Sequence, residues 1–243
     1  MTADLHREWI VSDIGGTHAR FNRWSAQTGL SDDPPARYRN DDFRDLAALI
    51  NHYRGEAASH VEQAMLALAL PLGPGEMRMT NRSWTFTAQG LRKDASLSQL
   101  RLVNDFVAAA AGIGALSASE SMQIGGVRGS AGTVAVLGPG TGLGTAMILN
   151  DGSEQQVMPS EAGHIGAAPS GDDARAVVER SRSQHGRVSW ERVLSGDGLA
   201  LFDAVARCAQ ETADPADVAA RAQSGDAAAQ RAASEFAHAL GEF

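Results

Sequence analysis

Apolar positions in the first half of the chain come in short runs that are typical of β-strands. Residues 9–13 and 19–24 are two such runs, and the Gly15-Gly16 pair between them predicts a β-hairpin. Further strands are predicted at 64–70, 77–86 and 100–103. The chain therefore begins with a region rich in β-sheet.

Helical spacing enters between these strands and dominates the second half of the chain. Over 41–53, the apolar residues fall on one face of a helix for which Asp42 is a candidate N-cap. Later helices are predicted at 106–113, 175–183, 190–194, 198–210 and 215–240, with strands at 133–137 and 145–149. Residues 154–168 show no regular period and are predicted to be irregular. Strands first and helices later indicate an α/β or α+β protein.

A stretch rich in Ser and Gly at 116–132 separates the two halves. Such stretches are typical of the boundaries between domains. We therefore predict a small N-terminal domain at 1–114 and a second domain at 115–243.

Charge and cysteine content exclude several classes of protein. A formal net charge of −8 argues against a nucleic-acid partner, because the neutralisation of phosphates needs a basic face. The single cysteine, Cys208, leaves no disulfide within the chain and no cysteine-rich zinc site. No apolar run has the length of a signal peptide or a membrane span. We therefore expect a cytoplasmic protein with no membrane partner.

The first glycine turn carries a candidate phosphate site. Gly15 and Gly16 let the backbone approach an anion closely, and Thr17 adds a hydroxyl donor. Asp13, at the end of the preceding strand, is a candidate ligand for a metal ion, usually through water. An ordinary hairpin turn would have the same residues, and this alternative stays open at this point.

A second glycine loop lies between two predicted strands in the second half of the chain. It contains Gly138, Gly140, Thr141, Gly142 and Gly144, more glycines than a plain hairpin needs. No Gly-Lys-Ser/Thr follows, so the loop is not a Walker A motif. The spacing of the glycines also differs from that of a dinucleotide-binding turn.

Two polar pairs are candidates for chemistry on a hydroxyl compound. Asp105, in the Asn104-Asp105 pair between a strand and a helix, could accept a proton as a general base, although an Asx pair there is often only a helix cap. Glu161 and His164 have the spacing of a metal pair, but no further ligand cluster suited to zinc accompanies them. A carboxylate with an imidazole also suits the recognition of vicinal hydroxyls.

Five segments together resemble one known family. They are DIGGTHARF, LRLVNDF, GPGTGLGTA, PSEAGHIG and SWERVLSGDGL, in the order and approximate spacing of bacterial glucokinases. The resemblance runs from Trp9 to about Leu201, and the chain lacks the cysteine-rich zinc motif of the related ROK family. His18, Ser160 and Ala162 stand where the family more often has Asn, Gly and Gly.

The resemblance implies an α/β fold of the actin-like ATPase (ribonuclease H-like) type, with two domains of which the second is incomplete. It implies that Asp105 is the catalytic base, and that the sugar is bound by Asn81, Asn104, Asp105, Glu161, His164 and Glu191. The two glycine loops would clamp the phosphates of ATP, with Asp13 near Mg²⁺. The pattern of residues alone would leave Glu191 on a helix surface after a Ser189 cap, and only the resemblance gives it a role.

The implied reaction is the phosphorylation of D-glucose by ATP to glucose 6-phosphate, by a homodimer. A kinase for another hexose, such as fructose or mannose, is one alternative. Family members are expected to continue beyond position 243 with a segment that holds adenosine and a terminal helix. A non-catalytic sugar-binding fragment is therefore the second alternative.

Overall fold

The structure is a computed structural model that describes residues 7–79, 82–126, 132–150 and 155–243. The chain divides into two compact units, Met1–Gln123 and Ile124–Phe243. This division lies inside the Ser- and Gly-rich stretch, whereas the predicted domain boundary lies just before it. We call Met1–Gln123 the first unit and Ile124–Phe243 the second unit.

The first unit is built on a mixed sheet. Its strands are β1 (Glu8–Ile14), β2 (His18–Ser25), β3 (Gly29–Leu30), β4 (Ala36–Arg39), β5 (Gln63–Leu68) and β8 (Gln99–Asn104), and a separate hairpin pairs β6 (Glu76–Arg78) with β7 (Thr85–Thr87). The order in the main sheet is β3-β2-β1-β5-β8, with β4 also paired to β2. Its helices are α1 (Leu46–Ala57), α2 (Ala88–Asp94) and α3 (Asp105–Gly112).

Helix α1 begins later than the sequence predicts. Its buried face contains Leu46, Leu49, Ile50 and Tyr53, as the apolar spacing indicates, but its N-cap is Asp45 rather than Asp42. The Asp45 carboxylate accepts the backbone N–H of Ala48 at 2.7 Å, whereas residues 40–42 form a 3-10 turn. The prediction of a start at residue 41 was therefore wrong, because the helix begins at Leu46.

The register of the parallel strands brings three strand ends together. Ile14 of β1 is paired with Leu68 of β5, and Leu68 is paired with Asn104 of β8. Parallel strands lie about 4.8 Å apart, so the ends of β1 and β8 are separated by roughly 10 Å. The first glycine turn and the Asn104-Asp105 pair therefore leave the sheet at the same carboxyl edge.

The second unit combines a small antiparallel sheet with five helices among its described residues. The sheet order is β11-β10-β9, with β9 (Val134–Pro139), β10 (Leu143–Asn150) and β11 (Gln155–Ser160). The helices are α4 (Asp172–His185), α5 (Trp190–Val193), α6 (Gly196–Ala206), α7 (Pro215–Gln223) and α8 (Ala227–Glu242). Residues Leu143, Val177, Trp190, Leu194 and Phe202 form part of its buried core.

Two predictions for this unit were wrong. Residues 154–168 were predicted to be irregular, but β11 occupies part of this range and pairs with β10 over its whole length. Residues 215–240 were predicted as one helix, but α7 and α8 are separate. Gly225 adopts a φ of +94° between them, in the left-handed region where a helix cannot continue.

Helices α6 and α7 are joined by a buried ion cluster. The Asp203 side chain has no exposed surface and accepts hydrogen bonds from Arg207 Nε and Arg221 Nη2, each at 2.7 Å. Burial by itself raises the pKa of the Asp203 carboxyl, but the hydrogen bonds from the two arginines outweigh it, and the net pKa is lowered.

Within the described residues, no helix has both the length and the apolar character that a membrane span requires.

We predict that Asp203→Asn lowers the free energy of unfolding by about 3 kcal/mol at pH 7, because two guanidinium groups lose their buried counter-charge. Urea denaturation would measure this. Because the folded-state pKa is lowered, the contribution of Asp203 is present above the unfolded pKa of about 3.9 and is lost as the pH falls through the folded value.

The difference between the wild-type and variant proteins should therefore shrink at acidic pH. Asp32→Asn, which removes an exposed carboxylate in a loop of the first unit, is the control and should change stability by less than about 0.5 kcal/mol. Equal stability of Asp203→Asn and wild type at pH 7 would contradict the prediction.

Candidate active site

The first glycine loop, Gly15–Thr17, is the turn of the β1–β2 hairpin. The two strands pair up to Ile14 and Ala19, and the Gly15 N–H donates to the His18 carbonyl at 3.0 Å. The backbone N–H groups of Gly16 and Thr17 and the Thr17 hydroxyl have no partner among the residues that the structure describes. These three donors are the groups of the loop that could bind an anion.

Asp13 lies one residue before the end of β1. Its side chain is 56% exposed and forms an ion pair with Arg20 Nη1 at 3.3 Å, across the hairpin. No group of three His, Cys, Asp or Glu side chains suited to a metal ion occurs among the described residues. The exposed carboxylate therefore fits a Mg²⁺ ion that is held mainly by water and phosphate oxygens, and it does not fit an all-protein metal site.

Asn104 and Asp105 lie where β8 passes into α3. The Asn104 side chain is the N-cap of α3, and its oxygen accepts the N–H groups of Phe106 and Val107 at 3.0 and 3.3 Å. Its amide nitrogen lies 3.5 Å from the Leu70 carbonyl. The interpretation of Asn104 as a helix cap is therefore correct, and it leaves the amide group of the side chain at the carboxyl edge of the sheet.

Asp105 is the first residue of α3 and is partly buried. Its Oδ1 accepts the Phe106 N–H at 2.9 Å. Its carboxylate lies at the sheet edge where the first glycine loop also lies. Asn81, the other sugar-binding candidate of this unit, lies outside the described residues.

The second glycine loop is the tip of the β9–β10 hairpin. Gly138 and Gly144 face each other within the strands, and the Gly140 N–H donates to the Gly142 carbonyl at 2.8 Å. The Gly140 carbonyl accepts the Gly196 N–H, at the start of α6, at 2.9 Å. Thr141 is exposed at the tip. The loop is thus tied to the first turn of a helix, which sequence reasoning did not anticipate.

Three side chains of the second unit form a cluster beside this loop. His164 Nδ1 lies 3.4 Å from Glu161 Oε2, and His164 Nε2 lies 3.8 Å from Glu191 Oε1. We call Glu161, His164 and Glu191 the sugar cluster, after the role that the resemblance implies for them. The structure therefore brings Glu191, to which only the resemblance gave a role, together with Glu161 and His164.

The sugar cluster is held by close backbone contacts. Gly163 lies against the Leu143 carbonyl with no room for a side chain, which fixes the 3-10 turn Ala162–His164 on β10. The short helix α5 is anchored by buried Trp190 and Val193, and the Trp190 N–H donates to the Ile165 carbonyl at 3.0 Å. Glu191 lies between these two anchors, and its partly exposed side chain reaches toward His164.

Glu191 also contacts the second glycine loop directly. Its Oε2 accepts the Leu143 N–H at 3.3 Å, and a Cβ atom at position 142 would overlap the carboxylate. Gly142 does not adopt a positive φ. A side chain at position 142 would therefore displace the Glu191 carboxylate, whereas the conformation of the turn does not itself require glycine.

Sequence reasoning missed two residues at the first glycine loop, Asn40 and Arg82, which donate hydrogen bonds to its carbonyls. Asn40 precedes a predicted helix, and Arg82 follows the sugar-binding candidate Asn81 in a segment predicted as one long strand. Their contacts with the loop span 25 and 66 residues along the chain. No pattern in the sequence could have indicated them.

Comparisons with known proteins agree with the geometry. The family model described as "Glucokinase" matches residues 10–243. The chain is 35% identical over 240 residues to a glucokinase of Tolumonas auensis, and the match covers 96% of this chain and 74% of that protein. The chain thus spans about three quarters of the relative's length.

Solved structures show the same fold. A glucokinase from an Antarctic psychrotroph superposes with a TM-score of 0.76 at 28% identity, over 96% of this chain and 76% of that one. A ROK family glucokinase from Streptomyces griseus, in complex with glucose and AMPPNP, superposes with a TM-score of 0.62 at 17% identity, over 96% and 77% of the two chains. At that identity the second likeness concerns the fold alone. The chain has the actin-like ATPase fold of these sugar kinases and belongs to the glucokinase family.

Proposed function

We propose that this protein transfers the γ-phosphoryl group of ATP to the 6-hydroxyl of D-glucose, giving glucose 6-phosphate and ADP. The observation that carries the proposal is the register of β1, β5 and β8, which brings Asp105 and the first glycine loop to one edge of the sheet. In open α/β sheets, ligands bind at this edge. Membership of the glucokinase family supports the same reaction.

Asp105 is proposed as the catalytic base. The O6 oxygen of the sugar attacks the γ-phosphorus, the bond from that phosphorus to the bridging oxygen breaks, and Asp105 takes the hydroxyl proton. Little covalent chemistry is left to the protein in such a transfer, so the role of Asp105 is as much to orient the hydroxyl as to accept its proton. Asn104 and Asn81 are proposed to bind sugar hydroxyls beside it.

The sugar cluster is proposed to bind the hydroxyls of the ring. Glu161 and Glu191 can accept hydrogen bonds, and His164 can donate or accept between them. Carboxylates on both sides of an imidazole suit vicinal hydroxyls, which offer a donor and an acceptor on neighbouring carbons. The enzyme would prefer glucose to fructose or mannose if the other sugar left hydrogen-bonding groups of the cluster without a partner.

The two glycine loops are proposed to bind phosphates. In the first, the N–H groups of Gly16 and Thr17 are the donors, and in the second the tip at Thr141 is the exposed part. Asp13 would hold Mg²⁺ through water, and the ion, when bound, neutralises charge on the phosphate oxygens. A homodimer and a cytoplasmic location complete the proposal and follow from the resemblance to the family.

The proposal is tested by a coupled assay of glucose 6-phosphate formation with this 243-residue chain, ATP, Mg²⁺ and glucose. We expect turnover, and kcat/KM for glucose above that for fructose and mannose. A clear preference for fructose or mannose would overturn the choice of sugar. Glucose binding in calorimetry without any turnover would instead indicate a sugar-binding protein without catalysis.

We predict that Asp105→Asn lowers kcat by a factor of roughly 10²–10⁴, because it removes a proton acceptor that acts in the transition state. The affinity for glucose should stay within a few-fold of wild type, since the amide still pairs with a hydroxyl. Steady-state kinetics and calorimetry measure the two effects. Asp32→Asn, at an exposed carboxylate of a loop, is the control and should leave both unchanged. A kcat close to wild type for Asp105→Asn would remove Asp105 from the role of base.

We predict that Gly142→Ala weakens glucose binding roughly tenfold, because the new methyl group displaces the Glu191 carboxylate from its contact with the Leu143 N–H. Calorimetric titration with glucose, in the absence of nucleotide, measures this. Gly140→Ala is the matched variant: no atom lies within 4 Å of the added Cβ, and its affinity for glucose should equal that of wild type. Equal glucose affinities of the two variants would show that Glu191 does not contribute to sugar binding.

A further inference from the structure

All three carbonyl groups of the first glycine loop accept hydrogen bonds from the protein. Asn40 Nδ2 donates to the Gly15 carbonyl at 2.9 Å, and the Asn40 backbone N–H donates to the Thr17 carbonyl at 2.9 Å. Between them, Arg82 Nε and Nη2 donate to the Gly16 carbonyl at 3.0 and 2.9 Å. The loop is therefore held by hydrogen bonds from two residues that are distant from it in the sequence.

Because the peptide bond is planar, fixing the carbonyl groups of the loop also fixes the directions of the N–H groups that follow them. In a trans peptide, the carbonyl and the N–H of the next residue lie in one plane and point in opposite directions. All described peptides are trans. Fixing the Gly15 carbonyl on Asn40 thus directs the Gly16 N–H away from the Asn40 side chain, and fixing the Gly16 carbonyl on Arg82 directs the Thr17 N–H away from the guanidinium. Within the Gly15–Thr17 loop, these are the two N–H groups that have no partner among the described residues.

Arg82 is itself held rigidly. Only 12% of its side chain is exposed, and its Nη2 also donates to Asp41 Oδ1 at 3.0 Å. The guanidinium carbon lies 4.5 Å from the centre of the Trp84 ring, and Trp84 belongs to the buried core. A guanidinium fixed on one side by a carboxylate and on its face by an aromatic ring presents its remaining donors in one direction. It also places a positive charge beside the loop.

The two polar atoms of the Asn40 side chain differ in their hydrogen bonding: Nδ2 donates to the Gly15 carbonyl, whereas Oδ1 is unpaired among the described residues. The residue is fully buried, and its Oδ1 has no hydrogen-bond partner among the described residues. An unpaired buried acceptor lowers stability, so the fold tolerates this cost at a position where the amide nitrogen holds the Gly15 carbonyl.

We infer that Asn40 and Arg82 are positioning residues, which orient the Gly16 and Thr17 N–H groups toward the phosphates of a nucleotide. The inference rests on the proposed function, because it takes a nucleotide as the ligand of this loop. Neither residue needs to contact the reacting atoms. Arg82 acts through the Gly16 carbonyl, and Asn40 through the carbonyls on both sides of it.

The test is a titration of the ¹⁵N-labelled full chain with Mg²⁺-ADP, followed through the backbone amide resonances of Gly16 and Thr17. In the wild-type protein both resonances should shift with nucleotide. Arg82→Gln, which keeps a donor but loses the fork and the charge, should weaken nucleotide binding roughly tenfold. Its affinity for glucose, measured by calorimetry, should remain that of wild type. Arg82→Lys, a second variant with the charge retained, should recover only part of the nucleotide affinity, because it cannot donate twice to one carbonyl.

Arg44→Gln is the matched control, because Arg44 is 85% exposed and pairs only with the neighbouring Asp45 among described residues. It should bind nucleotide as wild type does. Wild-type nucleotide affinity in Arg82→Gln would overturn the inference and leave the proposed function intact. Wild-type Gly16 and Thr17 resonances that do not respond to nucleotide would overturn both. An equal loss of glucose and nucleotide affinity in Arg82→Gln would show a general structural role and overturn the positioning role.

Discussion

The parallel pairing of β1, β5 and β8 is the constraint on which the chemistry of the first unit depends. Parallel neighbours require crossover connections, and these leave the carboxyl ends of the strands along one edge of the sheet. Ile14, Leu68 and Asn104 are aligned by this pairing. A slip of one residue in β8 would exchange the two faces of the strand. The apolar residues that fix the register, such as Leu66 and Leu68 in the core, therefore also determine where Asp105 can act.

In the second unit, two glycines position the candidate side chains, because they allow close contacts that a larger residue would block. Gly163 lets the turn that carries His164 lie directly on β10, and Gly142 leaves space for the Glu191 carboxylate. Trp190 and Val193 fix α5 in the core on either side of Glu191. The sugar cluster is thus positioned by buried neighbours one or two residues away. Its geometry depends on packing, although none of its members is in the core.

Much of this organisation could be predicted from the sequence, because local patterns encode it. The hairpins around both glycine loops and the buried face of α1 follow from apolar spacing and from glycine position. Strand β11 could not be predicted in this way, since its polar residues and Pro159 give no alternation, and its pairing with β10 is a tertiary contact. The start of α1 was misplaced for a related reason. Asn40 is hydrogen-bonded to the first glycine loop and lies outside the helix. The helix begins only after Asp45, which is its N-cap.

The residues of the candidate site also divide into those that the sequence indicates and those that only tertiary contacts reveal. Asp105, His164 and the glycine loops are candidates from their residue types alone, whereas Glu191 is indicated only by the resemblance of its segment to the family, because its local pattern is that of an ordinary surface helix. Arg82 and Asn40 could not be found at all, because what identifies them is a hydrogen bond to a carbonyl far away in the chain. Motifs therefore indicate the groups that meet a ligand, and they do not indicate the groups that orient them.

Two fully buried polar side chains illustrate the difference between stability and positioning. Asp203 has both of its oxygens paired, with Arg207 and Arg221, and so joins α6 to α7 without an unmet hydrogen bond. Asn40 is equally buried, but its Oδ1 has no partner within the part of the chain that the structure describes. An apolar residue of similar size would avoid that cost, but it would also release the Gly15 carbonyl, and the Gly16 N–H would lose its fixed direction. Under the proposed function, the unmet hydrogen bond of Asn40 is the cost of an arrangement that orients the loop toward an anion.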